Sequence, residues 1–226
     1  HNPKNYNGLK LCNAGAIPIG ENSGLKDIKK LANTNDEVHI EKFQNNDKYI
    51  VSKYFEHLEN LVSPASISQK LNFGIDGGNG VFGAVFDSLN NIYKFNTKSI
   101  YLEVDGNFPN HPADPSDETN LTDLKKLVVD NDLDFGIAFD GDADRGVFID
   151  DFGRVISGSM MTVLIAEFLS SQNTEFKVVH NVNVSPHALK MMKDNNIELY
   201  KCKVGHSNIK KMMRDVDADF GGEHSA

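Results

Sequence analysis

The sequence predicts an α/β protein with two tandem sheet units, each mixed but mostly parallel and each carrying helices on both faces. From about residue 71 onward, short apolar segments alternate with longer segments that have apolar residues at helical spacing. This alternation is typical of βαβ units. The length of 226 residues is sufficient for two ordinary domains. We expect the two units to meet near residues 151–157.

The first unit is predicted to begin with a strand, a Gly-rich turn and a helix. GGNG lacks the full dinucleotide-binding fingerprint, so we expect a structural tight turn there. The next helix, NLTDLKKLVVDN, should have Asn120 as its N-cap. The loop GNFPNHPADPSDET before it has a composition typical of loops that carry function. The predicted strands of this unit are LNFGID, SIYLEV, DFGIAF and GVFID.

The second unit continues the same alternation. Its predicted strands are FKVVHNV and ELYKCKV, and its predicted helices are SGSMMTVLIAEFLSS, SPHALKMMKDNN and HSNIKKMMRDVD. The first fifty residues contain many loop-forming residues, with one predicted helix at 23–33 that Ser23 opens and a predicted linker at 42–48.

Composition limits the classes of function. A net charge of −9 and a pI near 5.3 argue against general binding to nucleic acid or to an anionic membrane. The sequence contains no apolar run of membrane-spanning length, and its first residues, HNPKNYNGLKL, have no signal-peptide hydrophobic region. The two cysteines, Cys12 and Cys202, fit free thiols of a cytoplasmic protein, although a single disulfide is the alternative.

The stretch FDGDADRGVF, residues 139–148, places three carboxylates within five positions. Asp140, Asp142 and Asp144 alternate with small residues, and Arg145 follows directly. Alternating acids in a turning backbone bring several carboxylates into one small volume, which is how a hard divalent cation is held. A solvated Asp-Gly turn is the simpler alternative. We predict a metal site.

This loop has three alternative interpretations: an EF-hand, a phosphatase and a non-enzymatic module. In an EF-hand, position six must be Gly, whereas here it is Arg145, and the flanking segments are strands rather than helices. A haloacid-dehalogenase-like phosphatase also has D-x-D after an apolar strand, but usually carries Thr or Val at the position of Asp144. A non-enzymatic module that binds Ca²⁺ is the third reading.

Three further stretches carry polar groups suited to a phosphorylated sugar. The opening HNPKNYNGLK can hold phosphate, KVGHS opens a helix whose N-terminus suits an anion, and FGGEHSA offers groups that bind vicinal hydroxyls. A surface loop and a Ser207 N-cap are the simpler explanations of the first two. The residues that carry these patterns are His1, Asn2, Lys4, Lys10, Lys203, Gly205, His206, Ser207, Glu223 and Ser225.

Together these stretches resemble the α-D-phosphohexomutase superfamily, and most closely its bacterial phosphomannomutase/phosphoglucomutase branch. The family's phosphoserine loop reads T-A-S-H-N-P-x-x-Y-N-G-x-K, and this chain starts one residue after that serine. The family's metal loop D-G-D-x-D-R is matched by residues 140–145, its G-H-S turn by 205–207 and its sugar loop G-E-x-S-G/A by 222–226. EVDGNFPNHPADP at 103–115 also resembles this branch.

This resemblance implies a protein with four domains around a cleft. Residues 1–48 would be the end of domain 1, 49–154 domain 2, and 155–226 a truncated domain 3. The chain would then be a fragment without the catalytic serine and without the C-terminal domain, and we expect it to be inactive alone. The implied reaction moves phosphate between C1 and C6 of a hexose through a phosphoserine and a hexose 1,6-bisphosphate. The resemblance leaves the oligomeric state open.

The resemblance also implies roles for individual residues. Asp140, Asp142 and Asp144 would hold Mg²⁺, and Arg145 would brace this cluster or the phosphate. Lys10 is the first candidate for the base that takes the proton of the sugar hydroxyl, followed by His1 and His206. The substrate-binding residues would be Asn2, Lys203, Gly205, Ser207, Glu223 and Ser225, with Glu223 and Ser225 on the sugar hydroxyls.

Three positions depart from the family pattern. Asn183 stands where many relatives carry Lys or Arg, and Ala226 stands where Gly is commoner. His224 differs from the residue of the best-known subfamilies, so it does not identify the sugar. Phosphoglucosamine mutase, which usually has Gln at this position, is the alternative within the superfamily. The predicted partner is a small sugar phosphate.

Overall fold

The structure is a computed structural model that describes residues 4–6, 8–9, 11–34, 47–67, 70–171 and 175–223. The chain divides into two compact units. The smaller unit is Asn5–Ile67, and the larger unit contains Ser68–Ala226 together with His1–Lys4. The domain boundaries predicted at 48/49 and 154/155 stay predictions.

In its described residues, the smaller unit contains a two-stranded antiparallel sheet and two α-helices. The predicted helix at 23–33 is confirmed, but it starts later, because Gly24 has φ = 125° and cannot belong to a regular helix. Of the predicted linker at 42–48, residues 42–46 lie outside the described residues, and residues 47 and 48 begin a helix. The sequence did not predict the second helix. The elements are β1 (Cys12–Asn13), β2 (Ile17–Pro18), α1 (Lys26–Ala32) and α2 (Asp47–Leu61).

The first α/β region of the larger unit is a five-stranded sheet in the order β4-β3-β5-β6-β7. β4, β3 and β5 are parallel, whereas β6 and β7 are added antiparallel. The elements are β3 (Asn72–Asp76), α3 (Phe82–Tyr93), β4 (Asn96–Ile100), α4 (Thr122–Asp130), β5 (Phe135–Phe139), β6 (Gly146–Asp150) and β7 (Val155–Ile156).

Two local predictions in this region are wrong. The strand expected at SIYLEV is β4, which ends at Ile100 because Tyr101 adopts a left-handed conformation with φ = 56°. Asn120 is not the N-cap of the following helix. Asp117 caps a short 3₁₀ turn through the backbone N–H of Thr119, and the buried side chain of Asn120 donates instead to a backbone carbonyl.

The second α/β region is a parallel three-stranded sheet in the order β10-β8-β9. Its elements are α5 (Gly158–Ser170), β8 (Lys177–Asn181), α6 (Pro186–Asp194), β9 (Glu198–Cys202), α7 (His206–Val216) and β10 (Phe220–Gly222). In both regions the first strand is central, and the second and third strands lie on either side of it. The predicted α/β class, with mixed and mostly parallel sheets, is confirmed.

Each region has its own apolar core between sheet and helices. In the first region, α4 packs Leu124 and Val128 closely against β3 and β5. Gly136 permits this approach, because a Cβ there would lie 2.7 Å from Val128 Cγ2. In the second region, Val163 of α5 and Met192 of α6 are fully buried on β8. The carboxyl ends of these parallel strands carry the polar loops, as is usual for ligand sites in open α/β sheets.

Two further predictions concern the cysteines and the membrane. Cys12 and Cys202 are both free thiols, so the single disulfide is not formed. Within the described ranges, every helix is too short or too polar to cross a lipid bilayer.

Candidate active site

The acidic loop joins β5 to the antiparallel strand β6 and is organised around Asp140. This residue follows β5 directly and is fully buried. Its Oδ1 accepts the backbone N–H groups of Asp144 and Arg145 at 3.0 and 3.1 Å, and its Oδ2 accepts Nε of Arg145 at 2.8 Å. Ala143, at φ = 56°, makes the tight turn possible. The loop is therefore folded around its own first carboxylate.

The three predicted metal-binding carboxylates lie together. One oxygen each of Asp140, Asp142 and Asp144 falls within 4.8 Å of the others, and the last two side chains are exposed. Arg145 Nε also lies 3.7 Å from Asp144 Oδ1. Carboxylate oxygens at this spacing are the donors that Mg²⁺ and Ca²⁺ prefer. The donor set therefore fits a hard divalent cation.

The electrostatics of the loop agree with this fit. Burial raises the pKa of the Asp140 carboxyl, while the hydrogen bonds and charge of Arg145 oppose the rise and the charge of Asp142 adds to it. The loop thus contains three carboxyl groups and one guanidinium group. A bound cation would offset the remaining repulsion among the carboxylates.

Backbone hydrogen bonds fix the position of the acidic loop. The N–H of Gly141 donates to the carbonyl of Ala113 at 3.2 Å, and the carbonyl of Gly141 accepts the N–H of Val81 at 3.1 Å. The predicted tight turn GGNG is confirmed between β3 and α3, with Gly78 and Asn79 at φ = 53° and 56°. A Cβ on Gly80 would lie 2.8 Å from the Gly141 carbonyl oxygen, so this turn packs against the loop backbone.

A partly buried ion pair lies at the end of β3. Asp76 is fully buried, and its Oδ1 accepts the N–H of Gly78 at 2.8 Å. Its Oδ2 lies 3.0 Å from Nε2 of His111, whose Nδ1 lies 2.9 Å from the carbonyl oxygen of Pro112. Both ring nitrogens face acceptors, which favours the imidazolium. The hydrogen bond to Asp76 is the largest cause that raises the pKa of His111.

The loop that carries His111 is held at two more points. Lys4, from the predicted phosphate-binding stretch at the start of the chain, donates from Nζ to Asn107 Oδ1 at 2.6 Å. The Tyr101 hydroxyl donates to Asp123 Oδ2 at 2.7 Å, and this bond is the main reason that the pKa of Tyr101 rises to about 12. The loop therefore connects Lys4, the end of β3 and the acidic loop.

In the second region, Glu223 follows β10 directly and is held by two donors. Nδ2 of Asn181, the last residue of β8, donates to Glu223 Oε1 at 2.9 Å. The backbone N–H of Gly205 donates to the same oxygen at 3.2 Å. The structure thus brings together Gly205 and Glu223, two of the predicted substrate-binding residues, although they are 18 positions apart.

The remaining predicted residues of the KVGHS stretch surround the start of α7. Gly205, at φ = 114°, is its N-cap, so Ser207 is not. His206 and Ser207 are the first two residues of the helix and are exposed. Lys203 is also exposed and, with Lys201 and Lys211, lines an open pocket of about 390 Å³ between the end of β9 and α7.

Six residues of interest lie outside the described residues. They are the predicted residues His1, Asn2, Lys10 and Ser225, and the two departures from the family pattern, His224 and Ala226. Their predicted roles stay predictions.

Three residues of this site were not predicted from the sequence. Asp76 and Asn181 were included in predicted strands, and His111 was included only in a loop predicted to carry function. A signal was present for the first two. Each is a polar residue at the carboxyl end of an otherwise largely apolar parallel strand, which is the edge where ligands bind in α/β sheets.

Comparison with known proteins covers most of the chain. Residues 52–153 match the model of phosphoglucomutase/phosphomannomutase, alpha/beta/alpha domain II, and residues 157–226 match that of domain III. The acidic loop lies in the first matched range, and Asn181, Gly205 and Glu223 lie in the second.

Individual relatives have names that correspond to those of the matched domain models. The whole chain is 35% identical to a phosphomannomutase of Vibrio cholerae, of which it covers 50%. A phosphoglucomutase/phosphomannomutase family protein of Burkholderia thailandensis has a TM-score of 0.70 at 29% identity, over 76% of this chain and 38% of that one.

A more distant structure shares the fold. An N-acetylphosphoglucosamine mutase of Aspergillus fumigatus, in complex with glucose 1,6-bisphosphate, has a TM-score of 0.56 at 17% identity, over 76% of this chain and 36% of that one. The chain spans about half the length of the curated relatives it matches. From the two consecutive domain matches and these relatives, the chain belongs to the phosphoglucomutase/phosphomannomutase family.

Proposed function

We propose that the protein containing this chain is a phosphohexomutase, which reversibly transfers phosphate between C1 and C6 of a hexose. The observation that carries the proposal is the acidic loop, where three carboxylates converge beside one arginine within the range matched to domain II. Phosphoryl transfer requires mainly positioning and neutralisation of negative charge, and this loop can serve both.

The proposed substrates are mannose 1-phosphate and mannose 6-phosphate, or the corresponding glucose phosphates. The relatives' names support both sugars, since the matching family is named for phosphoglucomutase and phosphomannomutase. The proposed intermediate and activator is a hexose 1,6-bisphosphate. The bisphosphate bound to the Aspergillus mutase supports this class of ligand. Phosphoglucosamine mutase stays the alternative within the superfamily.

Mg²⁺ is the proposed metal, held by Asp140, Asp142 and Asp144. The converging carboxylate oxygens support it, and these residues leave room for further ligands, which suits Mg²⁺ because it retains water and phosphate oxygens. When bound, the ion would neutralise charge on the transferring phosphoryl group. Arg145 orients Asp140 through its Nε and keeps the loop closed.

Proton transfer is assigned to groups around the phosphoserine. The phosphorus–oxygen bond to serine breaks as the sugar hydroxyl attacks phosphorus, and the hydroxyl proton passes to a base. We assign this base to Lys10, with His1 and His206 as the next candidates. Because His206 is exposed at the first turn of α7, a substrate can reach it.

Sugar recognition is assigned to the second region. Glu223 and Ser225 would bind the hydroxyls of the hexose, while Asn2, Lys203, Gly205 and Ser207 complete the substrate site. The fixed carboxylate of Glu223 supports this assignment, since a preoriented acceptor loses little conformational freedom when a hydroxyl binds.

The geometry of Asp140 argues against a haloacid-dehalogenase-like phosphatase. A nucleophilic carboxylate needs one oxygen that a whole phosphoryl group can approach in line, whereas a metal ligand needs only one lone pair on an oxygen that can also accept a hydrogen bond. Asp140 is fully buried, and both of its oxygens accept hydrogen bonds from the loop itself.

We further propose that residues 49–154 and 155–226 correspond to the second and third domains of a four-domain enzyme. The family matches at 52–153 and 157–226 support this division. A cytoplasmic location is part of the proposal, and the two free thiols support it.

The test is ³¹P NMR of the full-length protein with mannose 1-phosphate, Mg²⁺ and a catalytic amount of hexose 1,6-bisphosphate. We expect conversion to mannose 6-phosphate without net release of inorganic phosphate. Asp142→Ala should lower the rate by about a hundredfold or more, because it removes a metal ligand. Asp151→Ala is the matched control, an exposed acid in the next turn that should leave the rate unchanged.

Two outcomes would contradict the proposal. Release of inorganic phosphate with no isomer formed would identify a phosphatase. A wild-type rate in Asp142→Ala would remove the metal assignment. A parallel series with glucose and glucosamine phosphates ranks the substrates.

A further inference from the structure

Asn181 is a buried amide whose orientation is fixed by its backbone surroundings. It ends the central strand of the second sheet and is 1% exposed. Its Oδ1 accepts the backbone N–H of Asn183 at 2.9 Å. Because a backbone N–H can only donate, the atom that faces it must be the amide oxygen. The NH₂ group of Asn181 must therefore point the other way.

The NH₂ group points at Glu223. Nδ2 of Asn181 and the N–H of Gly205 both donate to Oε1 of Glu223. In the described part of the chain, Glu223 accepts no other hydrogen bond. Oε1 is thus occupied from two sides, by the end of β8 and by the start of α7, and Oε2 is the oxygen left for a ligand.

The end of β9 lies beside the end of β8, since its last residue, Cys202, pairs with Asn181 in the parallel register. The pKa of the Cys202 thiol is raised, first by burial and then by the negative charge of Glu223. The carboxyl ends of all three strands of this sheet therefore converge on Glu223. Among these groups Asn181 is the buried side-chain donor, and it is 42 positions away in the sequence.

We propose that Asn181 is a positioning residue of the sugar site: its amide holds Oε1 of Glu223 so that Oε2 is presented to the hydroxyls of the hexose phosphate. This inference rests on the proposed phosphohexomutase function. Asn181 would act through Glu223 and would not touch the substrate.

Replacement by aspartate tests this role specifically. N181D keeps the oxygen that accepts the N–H of Asn183, so the turn after β8 retains its hydrogen bond. It replaces the NH₂ donor with a carboxyl oxygen that faces Glu223. Two carboxyl groups this close share a proton at low pH and repel each other when both are ionised.

The expected signature in the full-length protein is a pH profile. Above neutral pH, N181D should lower kcat/KM by at least about tenfold, mostly through a higher KM, because the hydroxyl contacts are made in both ground and transition states. As the pH falls, the shared proton restores a donor to Oε1, and the deficit should shrink. N181A should lose activity equally at all pH values.

Two variants control the interpretation. The double variant N181D/E223Q has one carboxyl group at this contact instead of two, so no proton is shared there and the added pH dependence should disappear. N195D is the matched control, because Nδ2 of Asn195 donates to Glu167 Oε1 at 2.5 Å on the exposed surface of the same region. Its pH profile should follow the wild type.

The outcomes separate this inference from the proposed function. If the wild-type protein had no mutase activity, the proposed phosphohexomutase function would be wrong. An active wild type with an N181D profile parallel to the wild type, or with the same pH-independent loss as N181A, would overturn the positioning role. If N181D does not fold by circular dichroism, the double variant decides, and failure of N181D/E223Q to recover the wild-type pH profile overturns the inference.

Discussion

The first strands of the two α/β regions end in the same side-chain-to-backbone hydrogen bond, but the residue that makes it is an acid in one region and an amide in the other. Asp76 and Asn181 are each the last residue of a central parallel strand, and each is almost fully buried. In both, one side-chain oxygen accepts the backbone N–H two residues later, at 2.8 and 2.9 Å. The remaining polar atom faces a histidine in the first region and a glutamate in the second.

The difference between the two residues follows from their partners. A carboxylate suits His111, whose two ring nitrogens both face acceptors, whereas an amide donor suits the carboxylate of Glu223. A buried polar atom must find a partner of the opposite kind, or its desolvation is uncompensated. The partner across the loop therefore decides whether acid or amide stands at the strand end.

The loops after the third strands differ in their support. The acidic loop is closed by its own residues, since Asp140 accepts bonds from Asp144 and Arg145. Glu223 is held instead by groups from other elements. We infer that the first loop has a locally determined shape, whereas the second depends on the assembled sheet.

The largest expected effect is on Asp76. Asp76→Ala should lower the free energy of unfolding by about 3 kcal/mol, because it leaves a partly buried imidazole and a buried N–H without their acceptor. Urea denaturation of the chain measures it. Asp134→Ala is the matched control, since the Asp134 carboxylate accepts the N–H of Asn72 at the exposed start of the same strand. Equal losses of unfolding free energy in the two variants would show that the buried strand end is no more important for stability than the exposed strand start.

A smaller effect is a pH dependence of stability that only the first region should show through its strand end. His111 has a raised pKa in the folded chain. Its stabilisation is fully present below the unfolded value of about 6.5 and is lost as the pH rises through the folded value. The unfolding free energy should therefore fall with rising pH over that window. In Asp76→Asn this fall should largely disappear.

The difference between wild type and Asp76→Asn isolates His111 from other histidines. Burial lowers the pKa of His180, so that group loses stability as the pH falls, which is the opposite sign and a lower window. Urea denaturation from about pH 5 to about pH 9 covers both windows. An unchanged slope above pH 6.5 in the variant would show that Asp76 does not stabilise the imidazolium.

The sequence predicted what is local and missed what depends on the assembled sheet. The acidic loop was recognisable because its three carboxylates and its arginine lie within six consecutive residues, 140–145. The pairing of Asn181 with Glu223 joins two strands across 42 positions, and no local pattern encodes it. Similarly, the prediction of Asn120 as N-cap was wrong because Asp117 caps a 3₁₀ turn that comes before the helix. Asn120 is buried in the folded region, and the local sequence does not show this burial.

We expect one region to bind the metal and the other to bind the sugar, and calorimetry of the full-length protein measures the two affinities separately. Mg²⁺ and hexose phosphate are each titrated into the wild type, Asp142→Ala and Glu223→Ala. We predict that Asp142→Ala loses Mg²⁺ binding but keeps hexose phosphate affinity. Glu223→Ala should keep Mg²⁺ binding and bind the sugar phosphate at least about tenfold more weakly. Wild-type sugar phosphate affinity in Glu223→Ala would show that the second region does not bind the sugar through Glu223.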